Sequence, residues 1–76
     1  HIKEYILDVV DLFITIPHTS LIKELESVYP ENKQEDFLLA LSELTQSNLI
    51  KRYEYTVKDH AERRVFYMPV TTRLAF

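Results

Sequence analysis

The apolar residues of this chain repeat at two different periods, and the period changes once, near residue 48. Up to that point they recur at three- and four-residue steps, as on one face of a helix. Beyond it, β-branched, aromatic and long side chains mix with charge as they do in strands. A helical part followed by a strand part within 76 residues specifies a single α+β unit. So short a chain buries only about 60% of the surface its unfolded form exposes, which leaves no room for two cores.

In the helical part, Ile2, Tyr5, Ile6, Val9, Val10 and Phe13 form one stripe with Lys3, Glu4, Asp8 and Asp11 between them, which predicts an amphipathic helix over 2–13. The run Phe13-Ile14-Thr15-Ile16 then meets Pro17, which disfavours helix in the residue before it, so a short strand or extended link is expected. Thr19 or Ser20 is expected to cap a second helix, with Leu21, Ile22, Leu25 and Val28 buried and its end near Tyr29-Pro30. A third helix is expected from about Asn32, where Asn32 and Glu35 stand at capping-box spacing, with Phe37, Leu38, Leu41 and Leu44 as its core face. The chain has no glycine, so another residue must take the left-handed position that commonly ends a helix, and Asn48 tolerates it best.

In the strand part, 49–57 and 64–70 read as a hairpin around the polar stretch 58–63. Pairing Val57 with Arg64 sets Tyr55 opposite Phe66 and Tyr53 opposite Met68 on one face, with Arg52, Glu54 and Tyr67 on the other. These aromatics read as core and hairpin cover, ahead of a stacking platform for single-stranded nucleic acid.

Composition removes several classes of function. At 46% hydrophobic and 28% charged the chain is globular. It has no cysteine, which excludes disulfides and thiolate metal sites and fits a reducing interior. No apolar run reaches the roughly 18 residues of a membrane span, and no signal-peptide pattern is present, so a soluble intracellular protein, cytoplasmic or nuclear, is expected. The chain starts at His1 without an initiator methionine and reads as one domain, 1–76, of a longer protein. His1, His18 and His60 fall on separate elements with no carboxylate at ligand spacing, so each reads as a surface or cap residue, and no metal or cofactor is expected. Without glycine there is no phosphate-cradling loop or dinucleotide fingerprint. The serines lack a partner base, and Glu35-Asp36 diverge on a helix, so enzyme activity is not expected.

Three short helices followed by a hairpin is the element order of winged helix domains. The stretch LSELTQSNLIKRYEYTV at 41–57, followed by RRVFYMPVT at 63–71, resembles the end of the recognition helix and the wing of bacterial regulators of the multiple-antibiotic-resistance, phenolic-acid-response and penicillinase-repressor families. Leu41, Leu44, Leu49 and Ile50 hold the apolar places, Arg64, Phe66 and Tyr67 the returning strand, and Asn48 stands where those families usually have glycine. The resemblance implies an α+β winged helix, a three-helix bundle followed by a two-stranded wing, acting as the DNA-binding domain of a transcriptional regulator. It also fits winged helices that have become protein-docking modules within multi-subunit complexes.

Charge separates these two readings. DNA binding begins with neutralising phosphates, and a net charge of −3 leaves that task to local clusters. Between residues 51 and 64, Lys51, Arg52, Lys58, Arg63 and Arg64 stand against Glu54, Asp59 and Glu62, the only locally basic element. In the DNA reading Arg52, Lys58, Arg63 and Arg64 hold phosphates while Asn32, Lys33 and Gln34 reach base edges. In the plainer reading these charges keep an exposed ribbon soluble. Positions 31–47 carry Glu31, Glu35, Asp36 and Glu43 against Lys33 alone, a pattern that repels phosphate. A continuous basic surface from wing to third helix would favour DNA, and acid across the third helix a protein. Leu7, Leu12 and Ile14 lie outside the first helix's main stripe, so a second copy or a neighbouring segment is expected to cover Leu7 and Leu12.

Overall fold

The computed structural model describes residues 1–56 and 63–70. In chain order it has α1 (Ile2–Phe13), β1 (Ile16–Pro17), α2 (His18–Val28), α3 (Gln34–Gln46), β2 (Ile50–Thr56) and β3 (Arg63–Pro69). The fold is α+β, three helices and a three-stranded antiparallel sheet of order β1-β3-β2, compatible with a winged-helix layout. The link before Pro17 is thus a strand, and it turns the expected two-stranded hairpin into a three-stranded sheet. Ile16 pairs with Tyr67 and Pro17 with Phe66. Proline is tolerated there because β1 is an edge strand.

The core joins Ile6, Val9 and Val10 of α1, Leu21, Ile22 and Leu25 of α2, and Phe37, Ala40, Leu41 and Leu44 of α3 to Ile16, Ile50 and Tyr67 of the sheet. Ile2, Tyr5, Leu7, Tyr29 and Val65 pack against it from its margin. Three expected core positions are exposed, Phe13, Leu38 and Val28, the last residue of α2. Phe13 lies past the point where α1 leaves the core, and Ile16 takes the buried place beside Tyr67 instead. Leu38 lies off the axis of the buried stripe, and Ala40 completes it.

Both α3 ends explain their sequences. The cap is one residue later than Asn32: Lys33 is the N-cap, and Asp36 rather than Glu35 accepts its N–H, at 3.1 Å. Lysine has no acceptor to complete a reciprocal box, so Asn32 assists by donating its Nδ2 to the same carboxylate at 3.2 Å. At the other end Asn48 has φ 60°, as expected in a chain without glycine. Leu49 N–H reaches Leu44 O at 3.0 Å and Asn48 N–H reaches Thr45 O at 3.1 Å, the two bonds of a Schellman motif. Helix α2 starts earlier than a Thr19 or Ser20 cap implies, with Pro17 as N-cap and no side-chain cap bond.

The end of α1 carries a conformation that its residue does not favour. Ile14 has φ 66° and ψ −47°, and Thr15 N–H donates to Phe13 O at 2.6 Å, closing a three-residue γ-turn of the strained hand. A β-branched side chain at positive φ is an outlier, because Cβ crowds the following carbonyl.

The hairpin register differs from the expected one by two residues: Tyr53 pairs with Phe66, Tyr55 with Arg64 and Arg52 with Tyr67. A shift of two preserves which face each side chain occupies, because strands alternate with period two. What the period could not tell was which face points inward. Ile50, Tyr67 and Ile16 face the helices and are buried, so Tyr53, Tyr55, Phe66 and Pro17 share the outer face. From Lys51 onward β2 is exposed throughout, so the ribbon extends beyond the helices.

Candidate functional site

The residues expected at the start of the third helix come together around one carboxylate. Asn32 is half-buried, Lys33 and Gln34 are exposed, and Asp36 lies within the same turn. The Asn32 amide, and then the Lys33 backbone N–H, hold the Asp36 carboxyl below the usual range. The helix N-terminus, which would otherwise attract an anion, thus already has Asp36 and the neighbouring Glu35 in its first turn.

Hairpin arginines divide between two faces. On the inner face Arg52 and Arg63 both reach Glu54, at 2.9 and 3.1 Å. Arg64 lies on the outer face, in register with Tyr55. Lys58 lies outside the described residues, as does His60. Arg52 and Arg63 thus share one carboxylate, while Arg64 stands on the opposite face of the ribbon.

Between α3 and the sheet is an open cleft of about 380 Å³, lined by Leu38, Ser42 and Thr45 of α3 with His18, Arg52 and Tyr67. His18, expected as a surface or cap residue, is the half-buried first residue of α2, and its Nδ1 meets the Tyr67 hydroxyl at 2.9 Å. Burial first, and the Arg52 charge second, pull the imidazole below its ordinary value. With its proton on Nε2 the neutral ring accepts from Tyr67, whose own hydroxyl burial pushes up. The two residues are 49 positions apart, so no local signal announced the contact.

A wider groove of about 700 Å³ lies between the start of α1 and α3. Ile2, Leu39 and Ala40 are its apolar lining, and the acids Glu4, Asp36 and Glu43 line it together with Lys3, Asn32 and His1. Lys3 spans the two helices to Glu43 at 2.6 Å. Leu38 and Leu39 are 44% and 61% exposed, so α3 presents leucine as well as acid to solvent. Of the two residues expected at a protein contact, Leu7 is half-buried against the domain's own core and Leu12 is exposed.

The aromatics expected as core cover are mostly outside it. Tyr53 and Tyr55 are 50% and 51% exposed, and the Tyr55 and Phe66 rings stack in parallel planes with centroids 5.6 Å apart. Among the described aromatics of the hairpin only Tyr67 is buried. Among the described residues no three His, Asp or Glu side chains converge as a metal site, and no helix is long and apolar enough to cross a membrane. Compared with known proteins, the chain matches no family model, no curated protein and no solved structure.

Proposed function

We propose that the chain is a winged helix-turn-helix domain that acts by binding, and that α3 docks a protein partner in place of the DNA major groove. The observation that carries this reading is the charge of α3. Asp36 is held ionised beside Glu35 in the first turn, and exposed Leu38 and Leu39 lie between that turn and Glu43. Acid with exposed leucine suits a segment that brings an apolar side chain flanked by Lys or Arg, and the groove over Ile2, Leu39 and Ala40 is where such a side chain would sit. The same surface repels phosphate. Neutralising a phosphate with Arg52 or Arg63 would first require breaking their bonds to Glu54.

Duplex DNA is the second reading, favoured by the position of the hairpin beside α3, where Arg52 shares a cleft with Ser42 and Thr45. In that mode Asn32, Lys33 and Gln34 meet base edges, and Arg52, Lys58, Arg63 and Arg64 hold phosphates.

Two titrations separate the readings. Labelled duplexes followed by anisotropy across a salt series should show no binding tighter than about 0.1 mM at physiological salt, the weak limit of non-specific binders. A helical Leu/Lys peptide should shift the amide resonances of α3 and the start of α1, while its Leu/Glu counterpart leaves them in place, and Leu39→Ser should abolish the response. Duplex binding above that limit, with a sequence preference altered by Gln34→Ala and a salt slope reduced by about 0.9 per lost phosphate contact in Arg63→Ala, would establish DNA instead.

A further inference from the structure

The outer face of the sheet differs in chemistry from the rest of the molecule. In register it presents three rows: Lys51 with Met68; Tyr53 with Phe66 and Pro17; Tyr55 with Arg64. Among the described residues this face carries cations and aromatic rings and no carboxylate, since Glu54 lies on the inner side with Arg52 and Arg63. In a chain of net charge −3 that is a local reversal of sign. Cations stand in both outer rows, and the rings lie between and beside them.

From this placement we propose that the outer sheet face is a binding site for single-stranded nucleic acid, with unpaired bases stacking on Tyr53 and on the mutually stacked Tyr55–Phe66 ring pair, and the backbone drawn to Lys51 and Arg64. Stacking on an aromatic ring requires a free base face, and the half-exposed Tyr53 and Tyr55 rings supply the protein side of that contact. Spacing selects the strand state. Same-face residues along a strand stand about 6.6–6.8 Å apart, twice the roughly 3.4 Å rise per nucleotide in a duplex strand. Neighbouring bases must separate to use successive rings, which a single strand does at little cost and a duplex does not. Charge argues for a polyanion over an apolar protein surface, because lysine is depleted from the cores of protein interfaces. The site is distinct from the α3 surface and does not depend on what that surface binds.

The test uses the 76-residue chain with a labelled oligothymidylate, the matching duplex, and inorganic polyphosphate as a chain of charge without bases. Oligothymidylate should bind in preference to the other two. Tyr53→Ala and Tyr55→Ala should each weaken it by about 5- to 150-fold, the range for loss of one stacked base. Tyr53→Phe should retain binding, because a ring suffices. The chain has no tryptophan, so Tyr53→Trp provides a single indole whose fluorescence should be quenched saturably by oligothymidylate and left unchanged by polyphosphate. This readout does not rely on a truncated variant remaining folded. Equal affinity for polyphosphate, unchanged affinity in the alanine variants, absence of quenching, or loss of binding on Arg63→Ala alone would each overturn the proposal.

Discussion

Ile14 offers a test in which the usual order of two substitutions should reverse. Its side chain is 67% exposed, so truncation forfeits only about a third of the roughly 1.5–3 kcal/mol that full burial brings, about 0.5–1 kcal/mol, and does so equally in Ile14→Ala and Ile14→Gly. The two variants differ at Cβ. Alanine keeps the contact that makes positive φ unfavourable, worth about 1–2 kcal/mol, and glycine removes it. Glycine in turn loses about 0.5–1 kcal/mol more chain entropy on folding. The glycine variant should therefore exceed the alanine variant by about 0.5–1 kcal/mol, a Tm difference of roughly 2–8 °C for a domain of this size. Leu39, exposed in the interior of α3, is the control: there the alanine variant should exceed the glycine variant by about 1 kcal/mol. Urea melts of the four variants measure both differences. If alanine equals or exceeds glycine at position 14, then Ile14 does not hold a positive φ in solution, and the γ-turn argument fails.

Other consequences are as direct. Leu41→Ala empties a site only 3% exposed and should cost about 2–5 kcal/mol in denaturant melts, whereas a loss below about 0.5 kcal/mol would mean α3 turns another face to the core. His18 has a folded pKa below its ordinary 6.5, so the unfolded chain binds the proton more readily. Its contribution is full above that value and drains as pH falls through the lowered one. His18→Gln, which cannot titrate, should flatten stability against pH in mildly acidic solution, and an unchanged slope would place the titration elsewhere. Asp36 is also lowered, so its cap contribution is present above the ordinary 3.8 and lost as pH falls below it; wild type should exceed Asp36→Asn at neutral pH and converge with it in acid. Leu12→Ser should change stability by less than about 0.5 kcal/mol, since the side chain is exposed. Sedimentation of both forms shows whether Leu12 holds a second copy: an assembly that persists in the variant would exclude that contact.

Local pattern was sufficient for much of the architecture. The 3–4 spacing from Ile2 to Phe13 delimits α1, the period change near Asn48 separates helices from sheet, and the absence of glycine points to Asn48 as the left-handed residue. Each of these depends on residues within a few positions of one another, where backbone sterics and side-chain direction act directly. The acid of α3 was likewise legible, because charges close in sequence remain close on a helix.

Tertiary structure decided what links distant residues. Alternation along β2 and β3 divides the hairpin into two faces, but only the packing of Ile50, Ile16 and Tyr67 on the helices determines that Tyr53, Tyr55 and Phe66 face outward. The pairing of β1 with β3, the bond between His18 and Tyr67, and the reach of Arg63 to Glu54 all join residues from different strands or helices. Residue order set the periods and the ends of the elements, since those follow from the backbone and its near neighbours. Which face meets the core, and which side chains share a surface, follow from how the elements bury one another, a property of the whole chain that no local window contains.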